Sequence, residues 1–132
     1  MDEELEAIRR KKMEELKKGA GKGAQWPTEP VVVKDADFEA FVAKYPVVVI
    51  DCWAPWCGPC RMVAPIVEAL AKEMSGKVAF GKLNTDENPV IPNKFNISAI
   101  PTLLVFKNGK LADRIIGAMP KDQLSAKIKK SL

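Results

Sequence analysis

The spacing of apolar residues changes along this 132-residue chain. Met1, Leu5, Ile8 and Leu16 lie on one stripe at helical period, with Met13 at its margin, which predicts a helix over residues 2–18. Glu6 with Arg10, and Glu14 with Lys18, are favourable pairs one turn apart. Gly19 to Ala24 is small and glycine-rich and reads as a flexible linker. From Trp26 onward, strand and helix patterns alternate, the mark of an α/β domain. Strands are expected at Pro30 to Lys34, at the apolar run Val47 to Trp53, and at Val78 to Asn84. Two more, Pro101 to Phe106 and Leu111 to Ile116, flank Asn108-Gly109, a strong hairpin signal. The uninterrupted apolarity of Val47 to Ile50 places that strand centrally in the sheet.

Helices are expected between these strands. Asp35 is the expected N-cap of one running through Phe38, Phe41 and Val42. A longer one spans about Pro59 to Met74, with Val63, Ile66, Val67 and Leu70 inward and a kink at Pro65. A short one over Asn88 to Phe95 is expected to break at Pro92, and Pro120 to Lys130 closes the chain. The division that follows is residues 1–24, an amphipathic helix with its linker, and residues 25–132, one folded domain.

Composition narrows the function. There is no histidine and there are three cysteines. Imidazole-dependent nucleophilic catalysis and histidine-ligated zinc are therefore excluded, as is a four-cysteine zinc site. The Met1-Asp2-Glu3-Glu4 start has no apolar core of a secretory signal, and no run could span a bilayer. The expectation is a cytoplasmic protein with no membrane association. The net charge of +4 is spread out, and the lysines of the last helix read as a solvated face, so no nucleic-acid partner is expected.

The chemistry centres on Trp53-Ala54-Pro55-Trp56-Cys57-Gly58-Pro59-Cys60, directly after the central strand. Pro59 suits the first turn of a helix, where a missing N–H does no harm. Cys57 then sits at the helix N-terminus, where free N–H groups and the helix dipole favour thiolate over thiol. Cys60 lies one turn on, about 5–6 Å away and within disulfide reach. Cys57 is the expected attacking thiol and Cys60 the resolving one. A lone C-x-x-C also occurs in metal sites, but those need ligands this chain lacks.

These residues, with Lys82-Leu83-Asn84, Ile100-Pro101-Thr102 and Phe106-Lys107-Asn108-Gly109, resemble the thioredoxin family from about residue 28 to the C-terminus. The resemblance implies a thioredoxin fold: a central mixed sheet of four to five strands, with helices on both faces. It implies that Asp51 is a buried carboxylate with a raised pKa, able to relay the proton of Cys60, and that Lys82 is its neighbouring cation. It implies a cis bond before Pro101, which leaves the backbone of Ile100 open to a substrate strand. Trp56, Gly58, Pro59, Ala99, Ile100, Gly117 and Ala118 would complete a flat substrate-binding surface.

Three positions depart from the family pattern. Pro55 replaces an acidic or polar residue. Arg61 replaces a lysine and keeps positive charge near the thiols. Cys52 replaces an aromatic, and by strand alternation it faces opposite to Asp51, as a packed, inert thiol.

The function implied is a protein-disulfide reductase acting by dithiol–disulfide exchange, with no metal and no cofactor beyond its own Cys57–Cys60 disulfide. Its partners would be disulfide-containing target proteins and a thioredoxin reductase or equivalent electron donor. No nucleotide-binding fingerprint occurs in the chain, so nicotinamide or flavin chemistry falls to that donor. The alternatives are a disulfide oxidant or isomerase, or a non-catalytic scaffold acting through the N-terminal helix. That helix would otherwise dock weakly on its own domain or on a second copy.

Overall fold

The computed structural model describes residues 26–132, so the helix expected over 2–18 and its linker lie outside the described residues. The elements run β1 (Val31–Val32), α1 (Phe38–Lys44), β2 (Val47–Trp53), α2 (Gly58–Glu73) and β3 (Ala79–Asn84), then α3 (Val90–Lys94), β4 (Thr102–Lys107), β5 (Lys110–Ile116) and α4 (Lys121–Lys129). The five strands form one sheet in the order β1-β3-β2-β4-β5. β2 pairs parallel with β3 and antiparallel with β4, so its apolar run is buried from both edges as well as both faces.

Strand alternation divides the core in two. Val48, Ile50 and Cys52 of β2 point to the face covered by α1 and α3, where they meet Phe38, Val42 and Ile91. Val47 and Val49 point to the opposite face, against Val63, Val67 and Leu70 of α2 and Leu124 and Ile128 of α4. Gly81 lets the first layer close: a Cβ there would lie 2.8 Å from a Val33 methyl and 2.9 Å from the Phe41 ring. The β4–β5 hairpin turns through Asn108 and Gly109, both at positive φ (52° and 81°), the geometry Asn-Gly favours.

Several boundaries differ from expectation. The first strand shrinks to Val31–Val32, although the Val33 N–H still donates to the Lys82 carbonyl at 2.9 Å. The N-cap of α1 is Asp37, with no side-chain capping bond. Asp35 caps a different helix: its two carboxylate oxygens accept from the N–H groups of Val90 and Ile91, each at 3.0 Å, at the start of α3. Pro92 does not break α3, because it falls in the first turn, where a backbone N–H has no helical partner to lose. α2 runs as one helix from Gly58 to Glu73 with Pro65 inside it.

Candidate active site

The site is built where β2 hands over to α2. The chain leaves the strand at Trp53 and turns through Ala54 to Cys57, closed by the Cys57 N–H donating to the Ala54 carbonyl at 3.1 Å. Cys57 is the N-cap of α2: its backbone is extended (φ −85°, ψ 110°) and its Sγ accepts from the Cys60 N–H at 3.2 Å. A cap sulfur at a helix start receives an unpaired N–H and the positive end of the helix dipole, both of which favour negative charge there. Cys60 is one turn on, with Cα atoms 5.3 Å apart, and the two sulfurs are joined in a disulfide. Pro59 lies in the first turn, as its missing N–H allows.

A second loop completes the mouth of the site. The Ile100–Pro101 bond is cis, and the Ile100 carbonyl lies 3.8 Å from Cys57 Sγ. The loop is braced by the Gly117 N–H donating to the Pro101 carbonyl at 2.9 Å and by the Thr102 hydroxyl donating to the Ala99 carbonyl. Trp56, Gly58, Pro59, Ala99 and Ala118 are exposed here, Ile100 and Gly117 half-buried, and Pro101 buried. Trp56 is 69% exposed, and its indole Nε1 donates to Asp86 at 3.1 Å.

On the sheet face covered by α2, Asp51 is buried (4% exposed), and its Oδ1 has no hydrogen-bond partner among the described residues. Burial pushes its carboxyl up to about 7, and the Lys82 ammonium pulls the other way. Lys82 is the register partner of Asp51 on β3, and its Nζ stands 5.8 Å from the centre of the Trp53 ring. Lys82 also lines a cavity of about 510 Å³ with Glu29, Pro30, Glu68, Ala69 and Lys72. A carboxyl poised near neutrality, under the helix whose first turn carries Cys60, can hold or release one proton at working pH.

Cys52 is buried on the other face of the sheet. Burial first, then the neighbouring Asp51, push its thiol up to about 12, with Arg114 opposing.

Two contacts at the site have no signal in the local sequence pattern. The bond between Trp56 and Asp86 is one, although Asn84-Thr85-Asp86 itself carries a turn signal: Asn84 Oδ1 accepts from the Asp86 N–H at 2.9 Å and so presents Asp86 to Trp56. Arg61 does more than supply charge. Its guanidinium Nη2 donates to the Pro55 carbonyl at 2.8 Å.

Comparison with known proteins agrees with this geometry. The family profile described as Thioredoxin matches residues 29–130. The chain is 52% identical over 101 residues to the chloroplastic M-type thioredoxin of Spinacia oleracea, covering 76% of this chain and 56% of that protein. It is 48% identical over 101 residues to thioredoxin 1 of a Nostoc species, covering 76% of this chain and 94% of that one. A mutant thioredoxin from Halobacterium salinarum superposes with a TM-score of 0.76 at 31% identity, over 80% of this chain and 93% of the other. The chain spans 56%, 60% and 58% of the length of the M-type chloroplastic relatives from spinach, pea and Brassica napus.

Proposed function

We infer that this chain, which belongs to the thioredoxin family, reduces protein disulfides by dithiol–disulfide exchange through Cys57 and Cys60. The observation that carries the reading is the Cys57–Cys60 disulfide at the start of α2, with Cys57 as the helix cap. In the reduced protein the Cys57 thiolate attacks one sulfur of a target disulfide. A mixed disulfide forms and the other target sulfur leaves as a thiolate. Cys60 then loses its proton, with Asp51 as acceptor, and attacks Cys57 Sγ. The second target thiolate leaves and the Cys57–Cys60 disulfide closes. Two electrons have passed from the dithiol to the target, and a separate reductase must return them.

Lys82 acts in this scheme by tempering the cost of charge on Asp51. Trp56, Gly58, Pro59, Ala99, Ile100, Pro101, Gly117 and Ala118 receive the target chain, with the Ile100 backbone beside the reacting sulfur. Residues 25–132 are the catalytic unit. The chemistry suits a reducing compartment. The cytosol is one such compartment, and the chloroplastic relatives point to another. Among the described residues no helix is long and apolar enough to cross a membrane.

The test is the equilibrium redox potential of the pair in a dithiothreitol series, together with turnover of insulin disulfides. A potential well below the glutathione couple, with insulin reduced, supports the reductase. A potential well above it makes the protein an oxidant or isomerase. Insulin turnover that survives Cys57→Ser with Cys60→Ser removes the dithiol from the function.

A further inference from the structure

The turn that presents Trp56 is held from two sides. Proline stands at its second position, where the fixed φ of Pro55 is already that of a type I or II turn. The Cys57 N–H closes the turn on the Ala54 carbonyl at 3.1 Å. From one flank Asp86 holds the Trp56 indole at 3.1 Å. From the other, Arg61 reaches back from α2 and donates to the Pro55 carbonyl at 2.8 Å. That bond spans the loop containing both cysteines, and the exchange steps above make no use of it.

The placement of Arg61 breaks a local rule. It follows Gly58, Pro59 and Cys60 at the N-terminal end of α2, and no acidic residue stands in that first turn. A cation there meets the unfavourable end of the helix dipole. Local rules are broken where a site gains something by it. Charge alone could come equally from lysine. A lysine lacks the planar guanidinium fork, in which one N–H fixes a carbonyl in a set direction while the others stay outward. The beneficiary is Trp56, a large apolar side chain 69% exposed next to the reacting sulfur. A docking residue that is already ordered loses less freedom when a partner arrives.

We propose that Arg61 is a positioning residue that sets specificity for protein targets: by holding the Pro55 carbonyl it keeps the 54–57 turn, and Trp56 with it, in the shape on which a target chain docks. The clamp stands on the geometry alone, and its part in recognition rests on the reductase reading.

Arg61→Lys keeps the charge and loses the fork, while Arg61→Gln loses both. Two readouts separate the roles. One is hydrogen exchange of the Cys57 amide, which reports the turn without reference to activity. The other is reduction kinetics with insulin, a protein disulfide, and with 2-hydroxyethyl disulfide, a small neutral one. In Arg61→Lys the Cys57 amide should exchange about fivefold faster and KM for insulin should rise about fivefold, the effect of one ordinary hydrogen bond. The kcat for insulin and the rate with the small disulfide should stay within about twofold. Wild-type exchange and KM in Arg61→Lys, with losses only in Arg61→Gln, would overturn the proposal in favour of charge. Faster exchange with an unchanged KM would also overturn it, since the clamp would then have no part in recognition. If the wild type reduces neither disulfide, the reductase reading and the recognition role fall together, while the amide exchange still judges the clamp.

Discussion

Cys52 and Cys57 are near neighbours in the chain and both are buried, at 0% and 4% exposure, yet they occupy opposite chemical worlds. Cys52 lies within a central strand, packed on the α1/α3 side of the sheet, where burial and the Asp51 carboxylate push its thiol up to about 12. Cys57 lies at a chain turn, with a backbone N–H on its sulfur, a helix beginning beneath it and a second sulfur one turn away. Burial therefore does not decide which sulfur reacts. What decides it is whether the surroundings offer donors to a negative sulfur or only apolar atoms and another negative group.

The sharpest break in that contrast is Cys57→Ser. A serine at the cap still accepts the Cys60 N–H but is a far weaker nucleophile, so insulin reduction should fall by more than about 10³-fold. Thermal unfolding of the variant and of the reduced wild type should stay close.

Asp51→Asn tests the proton relay and the energetics together. Resolution of the mixed disulfide should slow by roughly 10²-fold at pH 7, the low side of general-base effects, as read by stopped-flow mixing. The sign of the stability effect follows from the raised pKa. Well below pH 3.8 the carboxyl is protonated in both folded and unfolded chains and adds no pH dependence. Between the ordinary value of 3.8 and the folded value of about 7, the unfolded chain ionises while the folded one holds its proton. Wild-type stability should therefore fall across that window by about 4 kcal/mol and level off above it. Urea unfolding from pH 3 to pH 8 should show this loss in the wild type and not in Asp51→Asn.

Lys82→Met removes the charge that opposes the rise of the Asp51 pKa. The midpoint of the pH–rate profile for the resolving step should move to higher pH, and the stability loss should extend further toward alkaline pH. An unmoved profile would show that another group accepts the proton.

The smallest effect should come from Cys52→Ala. Reductase activity should stay within about twofold and stability should fall by about 1 kcal/mol, the cost of a small vacancy in the core. Iodoacetamide added to the reduced native protein should label Cys57 and leave Cys52 untouched until the protein is unfolded. A Cys52 that reacts in the native state would end the contrast.

Patterns with a local period were legible in the sequence. Alternation along β2 separates Asp51 from Cys52 in the sequence alone, because successive side chains of a strand point to opposite faces. The placement of Cys57 before Pro59 predicted the helix start, and Asn108-Gly109 predicted its turn, because the backbone preferences of those residues act within a few positions. The Asp51–Lys82 pairing and the cis bond before Pro101 were carried by the family resemblance, with no signal in periodicity or charge.

Contacts between segments distant in the chain had to wait for the tertiary structure. Asp35 looked like the cap of the helix that follows it, and an N-cap residue has the same chemistry whichever helix it serves. Only the approach of α3 decided that its carboxylate meets the N–H groups of Val90 and Ile91. Asp86 and Trp56 are joined only because β3 ends beside β2. Local preference acts over one turn and can be read from neighbours in the chain. A hydrogen bond between distant segments depends on where two backbones end up and which way each side chain points, and only the packed sheet and helices set that.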